Sequence, residues 1–481
     1  MNQIESRPTT PETPPSTKAY AATAKIHPRK VSGTFRSLKW WAMAAFMAVW
    51  HLAPFLRWDR GPGAPDQAIL LDMTGRRAYF FFIEIWPQEL YYLTGLLFIA
   101  AVTLFAMTAL AGRVWCGFFC WQTVYTDLFV AIERWVIGDR AARLAFDRQP
   151  MGATKLAKRA IVNLLWAVVA AACGIGFTLY FGDAREQLRD IFTGTAGLAT
   201  WGTITVVGGF CFLLAGYARE QVCIYMCPYA RFQSAMFDEH SLIVSYEAWR
   251  GEKRAPAPAD HDFQGRGHCV DCRACVQACP TGIDIRDGTQ LACIGCALCI
   301  DACNQVMDRF DLPRGLVSYD SWANMRARAE GLPARLRLIR PRTLIYAAVL
   351  LVAAGVILVG LTSRPDTTVS VLHERAPLYV QMADGGIRNG YVYKVLNMAR
   401  EDRAFTLTLS GPPGATVDVI GGESAATEAR LEVPADSVGT FHIFVTAPEG
   451  VVGDKRVPLT FRLTGGHSTV STETMFAGPG R

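Results

Sequence analysis

Charge is scarce in this sequence: 19% of its 481 residues are charged, against 51% that are hydrophobic. A water-soluble chain of that length would divide into several domains and carry more charge, which excludes a wholly soluble protein. Cysteine is missing from the whole stretch after Cys303, so the last third of the chain has no disulfide. A C-x-x-C-H haem site, a G-x-G-x-x-G turn and a P-loop are also absent. No site for covalent haem or for hydride transfer is therefore visible. The net charge of +6 is too mild to argue for a nucleic-acid partner.

What is present comes in blocks. Five charge-free stretches suit a hydrocarbon layer of about 30 Å at 1.5 Å per residue. They run from Trp40 to Leu56, Leu90 to Gly112, Ala160 to Gly182, Ile191 to Ala218 and Thr343 to Ser363. Basic residues orient them. Arg113, Arg134, Arg140, Arg143, Arg148, Lys155, Lys158 and Arg159 follow the second stretch, and Arg335, Arg337, Arg340 and Arg342 precede the fifth. Arg57, Arg60, Arg76 and Arg77 run against the rule in the first loop. The pattern predicts a multi-pass protein of the lipid bilayer with its N-terminus in the cytoplasm. The first 24 residues, rich in Pro, Thr and Ala, open a disordered cytoplasmic tail expected over 1–37. Residues 38–218 then hold four helices, 219–342 form a cytoplasmic segment, 343–363 make the fifth helix and 364–481 lie outside. In that last piece, alternating runs at 367–373, 391–397, 404–410, 416–420, 429–433, 440–446 and 457–464 are broken by Gly/Pro turns. About seven strands in roughly 100 residues predict an Ig-like β-sandwich.

Eight of the fourteen cysteines crowd between Cys269 and Cys303. Cys269, Cys272, Cys275 and Cys279-Pro280 spell C-x2-C-x2-C-x3-C-P, and Cys293, Cys296, Cys299 and Cys303 repeat the spacing. Three thiolates at this spacing wrap one face of a cubane, while the fourth reaches the other cluster. Cys269, Cys272, Cys275 and Cys303 are thus expected to hold one 4Fe–4S cluster, and Cys293, Cys296, Cys299 and Cys279 the second. Zinc is the competing reading, but its sites usually separate two C-x2-C pairs by a longer loop. The fold expected is a multi-domain membrane protein: about five transmembrane α-helices, a bacterial-type ferredoxin-like domain with two 4Fe–4S clusters (about 260–310), and the C-terminal sandwich.

Two further pairs, Cys116/Cys120 and Cys223/Cys227, end the second and fourth stretches. Each is spaced i, i+4, so on a helix both sulfurs share a face, and the repeated ending suggests an internal duplication. Paired soft thiolates suit Cu(I). Met43, Met47 and His51 fall on one helix face as weaker copper candidates, although methionine is a common filler of apolar helices. Cys173 and Cys211 read as packing residues, and His261 and His268 as surface residues.

The segments Ile85-Trp86-Pro87-Gln88-Glu89, Gly112-Arg113-Val114-Trp115-Cys116-Gly117, Cys227-Pro228-Tyr229-Ala230-Arg231-Phe232-Gln233 and the run from His268 to Arg314 carry a resemblance. They resemble the CcoG family, also called FixG or RdxA, the cytochrome c oxidase accessory proteins. Arg388-Asn389-Gly390-Tyr391 resembles the opening of that family's Ig-like domain. The resemblance implies a bacterial inner-membrane protein with a periplasmic C-terminal domain. It also implies a cupric reductase that turns Cu(II) into Cu(I) for assembly of a cbb-type cytochrome c oxidase. Cys116, Cys120, Cys223 and Cys227 would bind or reduce copper, supplied with electrons through the two clusters from a cytoplasmic donor. The oxidase or its copper chaperones would receive the metal. The chain departs from the family at Trp121, where the family usually has proline. Two other functions compete: a quinol-oxidising conduit like the NapH-type membrane ferredoxins, and a non-enzymatic copper chaperone or assembly scaffold. The fifth span and the β-domain argue against the conduit, because NapH-like chains resemble only the front part.

Overall fold

The computed structural model describes residues 25–61, 64–258, 262–421, 427–453, 456–465 and 468–479. The tail over 1–24 and His261 lie outside them. Two compact units divide the chain, Met1–Gly355 and Val356–Arg481.

In the first unit, α1 (Thr34–Leu52) runs until Pro54 enforces a short 3-10 turn. A small antiparallel sheet follows, β1 (Ile69–Asp72), β2 (Arg77–Phe80) and β3 (Ile83–Ile85). Then come α2 (Leu90–Ala111), α3 (Trp121–Val136), α4 (Arg140–Arg148), α5 (Ala153–Thr178), α6 (Ala184–Thr193) and α7 (Leu198–Cys211). A π-helical stretch carries α7 on to Ala218. After α8 (Pro228–Met236), strand β4 (Ile243–Tyr246) pairs with β5 (Val317–Asp320). That ribbon brackets α9 (Ala248–Gly251), α10 (Ala274–Ala278) and α11 (Leu298–Arg309). The unit closes with α12 (Trp322–Ala329), and α13 spans Pro341–Thr362.

Four helical stretches are long and apolar enough to cross a membrane: Pro87–Ala111, Ala153–Thr178, Leu198–Ala218 and Pro341–Thr362. The chain is a multi-domain membrane protein. The expected first span, 40–56, falls on α1, which is not among the four. Its opening turns bury Arg36 and Lys39, whose side chains reach Asp127 of α3 at 2.8 and 3.7 Å. The expected fourth span begins later than Ile191, because Gly194 ends α6 in the left-handed conformation (φ 76°) and a new helix starts at Leu198. Small residues bring α5 against α7: a Cβ at Gly174 would stand 2.6 Å from the Ile204 carbonyl oxygen, and one at Gly208 2.8 Å from that of Ala170.

The segment before α1 differs from the expected disordered tail. His27 Nε2 lies 2.8 Å from Asp147, the Arg29 N–H donates to the Gln277 carbonyl at 2.7 Å, and the Lys30 N–H donates to Asp139 at 2.9 Å. Asp301 of α11 accepts from the Arg36 and Phe35 N–H groups at 2.7 and 3.3 Å, capping α1 from a distant part of the chain.

The second unit is a two-sheet β-sandwich. Its strands are β6 (Thr367–His373), β7 (Val380–Gln381), β8 (Ile387–Asn397), β9 (Arg403–Ser410), β10 (Thr416–Val419), β11 (Glu428–Val433), β12 (Ser437–Ala447), β13 (Val457–Gly465) and β14 (Ser468–Phe476). One sheet has the order β10-β12-β8-β6 with β7 beside β8, and the other β11-β9-β13-β14. Tyr391, Tyr393 and Val395 alternate inward from β8 and meet Phe405, Leu407, Phe461 and Leu463 across the core. Phe461 packs edge-on to both tyrosines with centroids 5.3 and 5.4 Å apart. All seven expected strands are present. The expectation missed β7 and the C-terminal edge strand β14, whose polar composition hides its alternation.

Candidate functional site

The cysteine-rich segment wraps two cavities. One is walled by Cys269, Cys272, Cys275 and Cys303 together with Tyr246, Arg286 and Met307. The other is walled by Cys279, Cys293, Cys296 and Cys299, with Cys275 between the two. The first cavity brings together the four cysteines that the spacing groups as one set, and the second brings together the other four and Cys275. The backbone explains it. Asp271, Arg273 and Ala297 take the left-handed conformation (φ 51°, 55° and 59°) and curl each loop around its cavity. α10 and α11 then start directly, and Cys303 projects from α11 back towards the first loop.

These residues fit an iron–sulfur group. All the cysteines are free. Burial pushes the thiols of Cys275, Cys296 and Cys303 up to about 12, and Cys299 well above the ordinary range. A cationic iron core would supply the charge that lets such buried sulfurs ionise. Among the described residues no three His, Cys, Asp or Glu side chains are drawn together closely enough to hold a metal ion. Arg286, which the sequence reading passed over, borders the first cavity. It donates to Asp284 and to Asp271, the latter at 2.5 Å, so its charge is fixed beside the thiols.

The two membrane-edge pairs depart from the expected geometry. They do not share a face of one regular α-helix. Each first cysteine lies in a π-helical turn, Trp115–Phe119 or Val222–Met226. Each second cysteine breaks the helix with extended backbone: Cys120 at φ −63°, ψ 128° and Cys227 at φ −81°, ψ 111°. Their N–H groups donate five residues back, to Trp115 and Val222, both at 2.8 Å. Pro228 disfavours the helical conformation at Cys227, and Cys120 adopts the same break before Trp121. Four residues ahead of each first cysteine stands a positive-φ residue, Gly112 (58°) and Arg219 (44°). The duplicated geometry supports the duplication read from sequence. Arg219 carries a side chain at this strained position, held by Glu133 at 2.5 Å and by the Gly216 carbonyl at 2.7 Å.

The four edge thiols are electrostatic neighbours of one another, and Arg113 is a neighbour of Cys116, Cys223 and Cys227. Burial pushes Cys116 and Cys223 up to about 12, and Cys120 upward as well. Cys116 and Cys223 pack on Ile294, Cys296 and Leu298, the loop that walls the second cavity. Arg113 ties the two parts together by donating to the carbonyls of Leu291 (2.5 Å), Cys293 (2.9 Å) and Ala230. Gly117 sits so close that a Cβ there would stand 2.9 Å from Cys296 Cα. Arg113 and Gly117 are the residues through which this contact is made. Their place in the Gly-Arg-Val-Trp-Cys-Gly run was the signal available in the sequence.

The weaker copper candidates lie elsewhere. Met47 belongs to the bundle core with Cys173 and Cys211, and Met43 and His51 are half-buried on the same helix. His268 packs edge-on to Phe263 and is no part of either cavity.

A 4Fe-4S dicluster domain profile matches residues 218–322, and a 4Fe-4S binding domain profile matches 93–136. A third profile, the IG-like fold at the C-terminus of FixG, matches 357–479. Protein RdxA of Cereibacter sphaeroides is 44% identical over 437 residues, which cover 90% of this chain and 91% of RdxA. RdxB of the same organism is 43% identical over 446 residues, 92% of either chain. The nitrogen fixation protein FixG of Rhizobium meliloti is 42% identical over 460 residues, 90% of this chain and 88% of FixG. A chain with this likeness along nine-tenths of its length, and with two cysteine-walled cavities, belongs to the RdxA/FixG family of membrane-bound iron–sulfur oxidoreductases.

Proposed function

We propose that the protein is a cupric reductase, taking Cu(II) as substrate and releasing Cu(I) for the copper centre of a cbb-type cytochrome c oxidase. Cys269, Cys272, Cys275 and Cys303 would hold one 4Fe–4S group, and Cys279, Cys293, Cys296 and Cys299 the other. When bound, such groups supply one-electron reducing power. Each Cu(II) takes up one electron. On binding the ion Cys116, Cys120, Cys223 and Cys227 draw closer together than they stand here, and their soft sulfurs favour Cu(I) over Cu(II), so the site draws the reduction forward. Arg113 offsets the negative charge that the thiols acquire as they ionise. The observation that carries the reading is the packing of Cys116 and Cys223 on the Ile294–Leu298 loop, which sets the substrate thiols against the wall of the second cavity. The basic loops support an inner-membrane orientation with the cysteines on the cytoplasmic side and the β-sandwich in the periplasm, where the oxidase or a copper chaperone could meet it.

The match of a 4Fe-4S binding profile to 93–136, which contains Cys116 and Cys120, favours a second reading in which the edge thiols hold a further cluster. One experiment separates the two. The protein is purified anaerobically, its iron counted, its chromophore reduced with limiting dithionite and Cu(II) added while absorbance and Cu(I) are followed. A variant with serine at Cys116, Cys120, Cys223 and Cys227 is run beside it. Recovery of absorbance in step with Cu(I), slowed in a variant of unchanged iron content, supports the reductase. Absorbance that stays bleached overturns it, and iron lost with the four thiols supports the second reading.

A further inference from the structure

Deep in the helix bundle two cysteines assigned to packing stand together. Cys173 of α5 is fully buried and Cys211 of α7 nearly so. Both belong to one buried cluster, against which the Trp121 ring packs. Tyr125 lies in the same cluster, and its buried hydroxyl has no hydrogen-bond partner among the described residues. Met47 packs against the same core. One turn further along α1, His51 lies against α5, where a Cβ on Gly176 would come within 2.7 Å of its Nδ1.

Two thiols are poor company for each other in an apolar interior, since S–H is a weak donor and sulfur a weak acceptor. Two sulfurs in one core, with the Met47 thioether packed against that core, offer a donor set for a soft cation. We propose that Cys173 and Cys211, with Met47, form an intramembrane site for a soft d10 cation of the Cu(I) class. One thiol gives its proton to bulk water as the metal–sulfur bond forms, and the cation takes that proton's place. The loaded site carries no net charge, so the hydrocarbon imposes no charge-burial cost. The Trp121 N–H and the Tyr125 O–H hydrogen-bond the resulting thiolate. Trp121 also suggests how the site is reached, because it follows Cys120 directly and packs tilted against Trp50, with ring centroids 4.7 Å apart. It thereby joins the edge thiols to the inner pair. This inference rests on the cupric-reductase reading for the identity of the physiological ion, and on the bundle alone for the site.

The test supplies Cu(I) directly, so no reduction step is needed and failure of the reductase reading leaves it intact. The full-length four-serine variant in detergent is titrated anaerobically with Cu(I) against a chromophoric Cu(I) chelator. It is expected to hold one Cu(I) per chain, with a sulfur shell in copper X-ray absorption. Adding C173A and C211A abolishes that copper, while adding Met47→Leu, a change of similar volume, weakens it about tenfold or more. Unchanged visible absorbance in every variant reports that the fold is retained. Cu(I) retention no greater than in the six-cysteine variant overturns the site, and wild-type affinity in the Met47→Leu variant overturns the ligand set.

Discussion

Replacing Gly117 by alanine tests the contact on which the proposed chemistry depends. The added methyl would stand 2.9 Å from Cys296 Cα and from the carbonyl carbon and oxygen of Gly295. These are backbone atoms of a loop held by Arg113, so they cannot rotate away as a side chain would. Ordinary carbon contacts lie near 3.5–4.0 Å, so the first edge turn must retreat by roughly 0.5 Å or more. Overpacking of this kind costs about 1–3 kcal/mol. Gly202 of α7 is the control, because a Cβ there meets nothing within 4 Å. G202A should be neutral or stabilise the helix by about 0.5–1 kcal/mol. Thermal unfolding in detergent and the rate of Cu(II)-dependent absorbance recovery are measured on both variants. G117A should melt lower and transfer electrons to copper more slowly with its iron content unchanged. Wild-type melting and a wild-type rate in G117A would refute the seating of the edge turn on the cluster loop.

Three other outcomes follow from the same geometry. Arg113→Met strands the buried carbonyls of Leu291, Cys293 and Ala230, at about 1–3 kcal/mol for each unpaired group; metal analysis should find about four of eight irons lost, and full iron content would count against the role of Arg113. Burial holds the His27 imidazole below its ordinary value despite the pull of Asp147, so the neutral form is favoured in the folded state. Its contribution to stability is present above the unfolded value of about 6.5 and is lost as pH falls through the lowered folded value. Hydrogen exchange across 25–33 should therefore rise on acidification beyond the intrinsic trend, and His27→Gln should flatten that rise. In the β-sandwich, the buried Tyr393 hydroxyl has no partner among the described residues, whereas that of Tyr391 donates to the Met475 carbonyl at 3.0 Å. Tyr393→Phe should be neutral or stabilising, and Tyr391→Phe should cost about 1 kcal/mol, read by thermal unfolding of the full chain.

The cysteine spacing carried most of the site. Local spacing determines how three thiols wrap a cavity, so the two quartets could be read from one dimension. The strands of the sandwich were legible for the same reason, since alternation is a local signal. What could not be read depends on contacts between distant parts of the chain. Nothing in the tail's composition announces that Asp301 will cap α1, or that His27 will find Asp147. The i, i+4 spacing of Cys116/Cys120 fits a helix equally well, and only the backbone reveals the π turn and the break at the second cysteine. The arginines that ran against the charge rule are largely paired. Arg57 meets Asp183 and Asp66 at 2.5 and 2.6 Å, Arg60 donates to the Gln67 and Ala68 carbonyls, and Arg77 pairs with Glu84. A residue count cannot see that neutralisation. Each of Cys173 and Cys211 stands alone in its helix, and only the contact of α5 with α7 brings them into one core.

The most direct measurement is copper-edge X-ray absorption on protein frozen after one equivalent of Cu(II) is added to the anaerobically reduced, iron-loaded chain. A Cu(I) edge with a shell of sulfur neighbours, lost in the variant with serine at Cys116, Cys120, Cys223 and Cys227, is what the account predicts. A Cu(II) edge with oxygen or nitrogen neighbours, the same in both proteins, would contradict it.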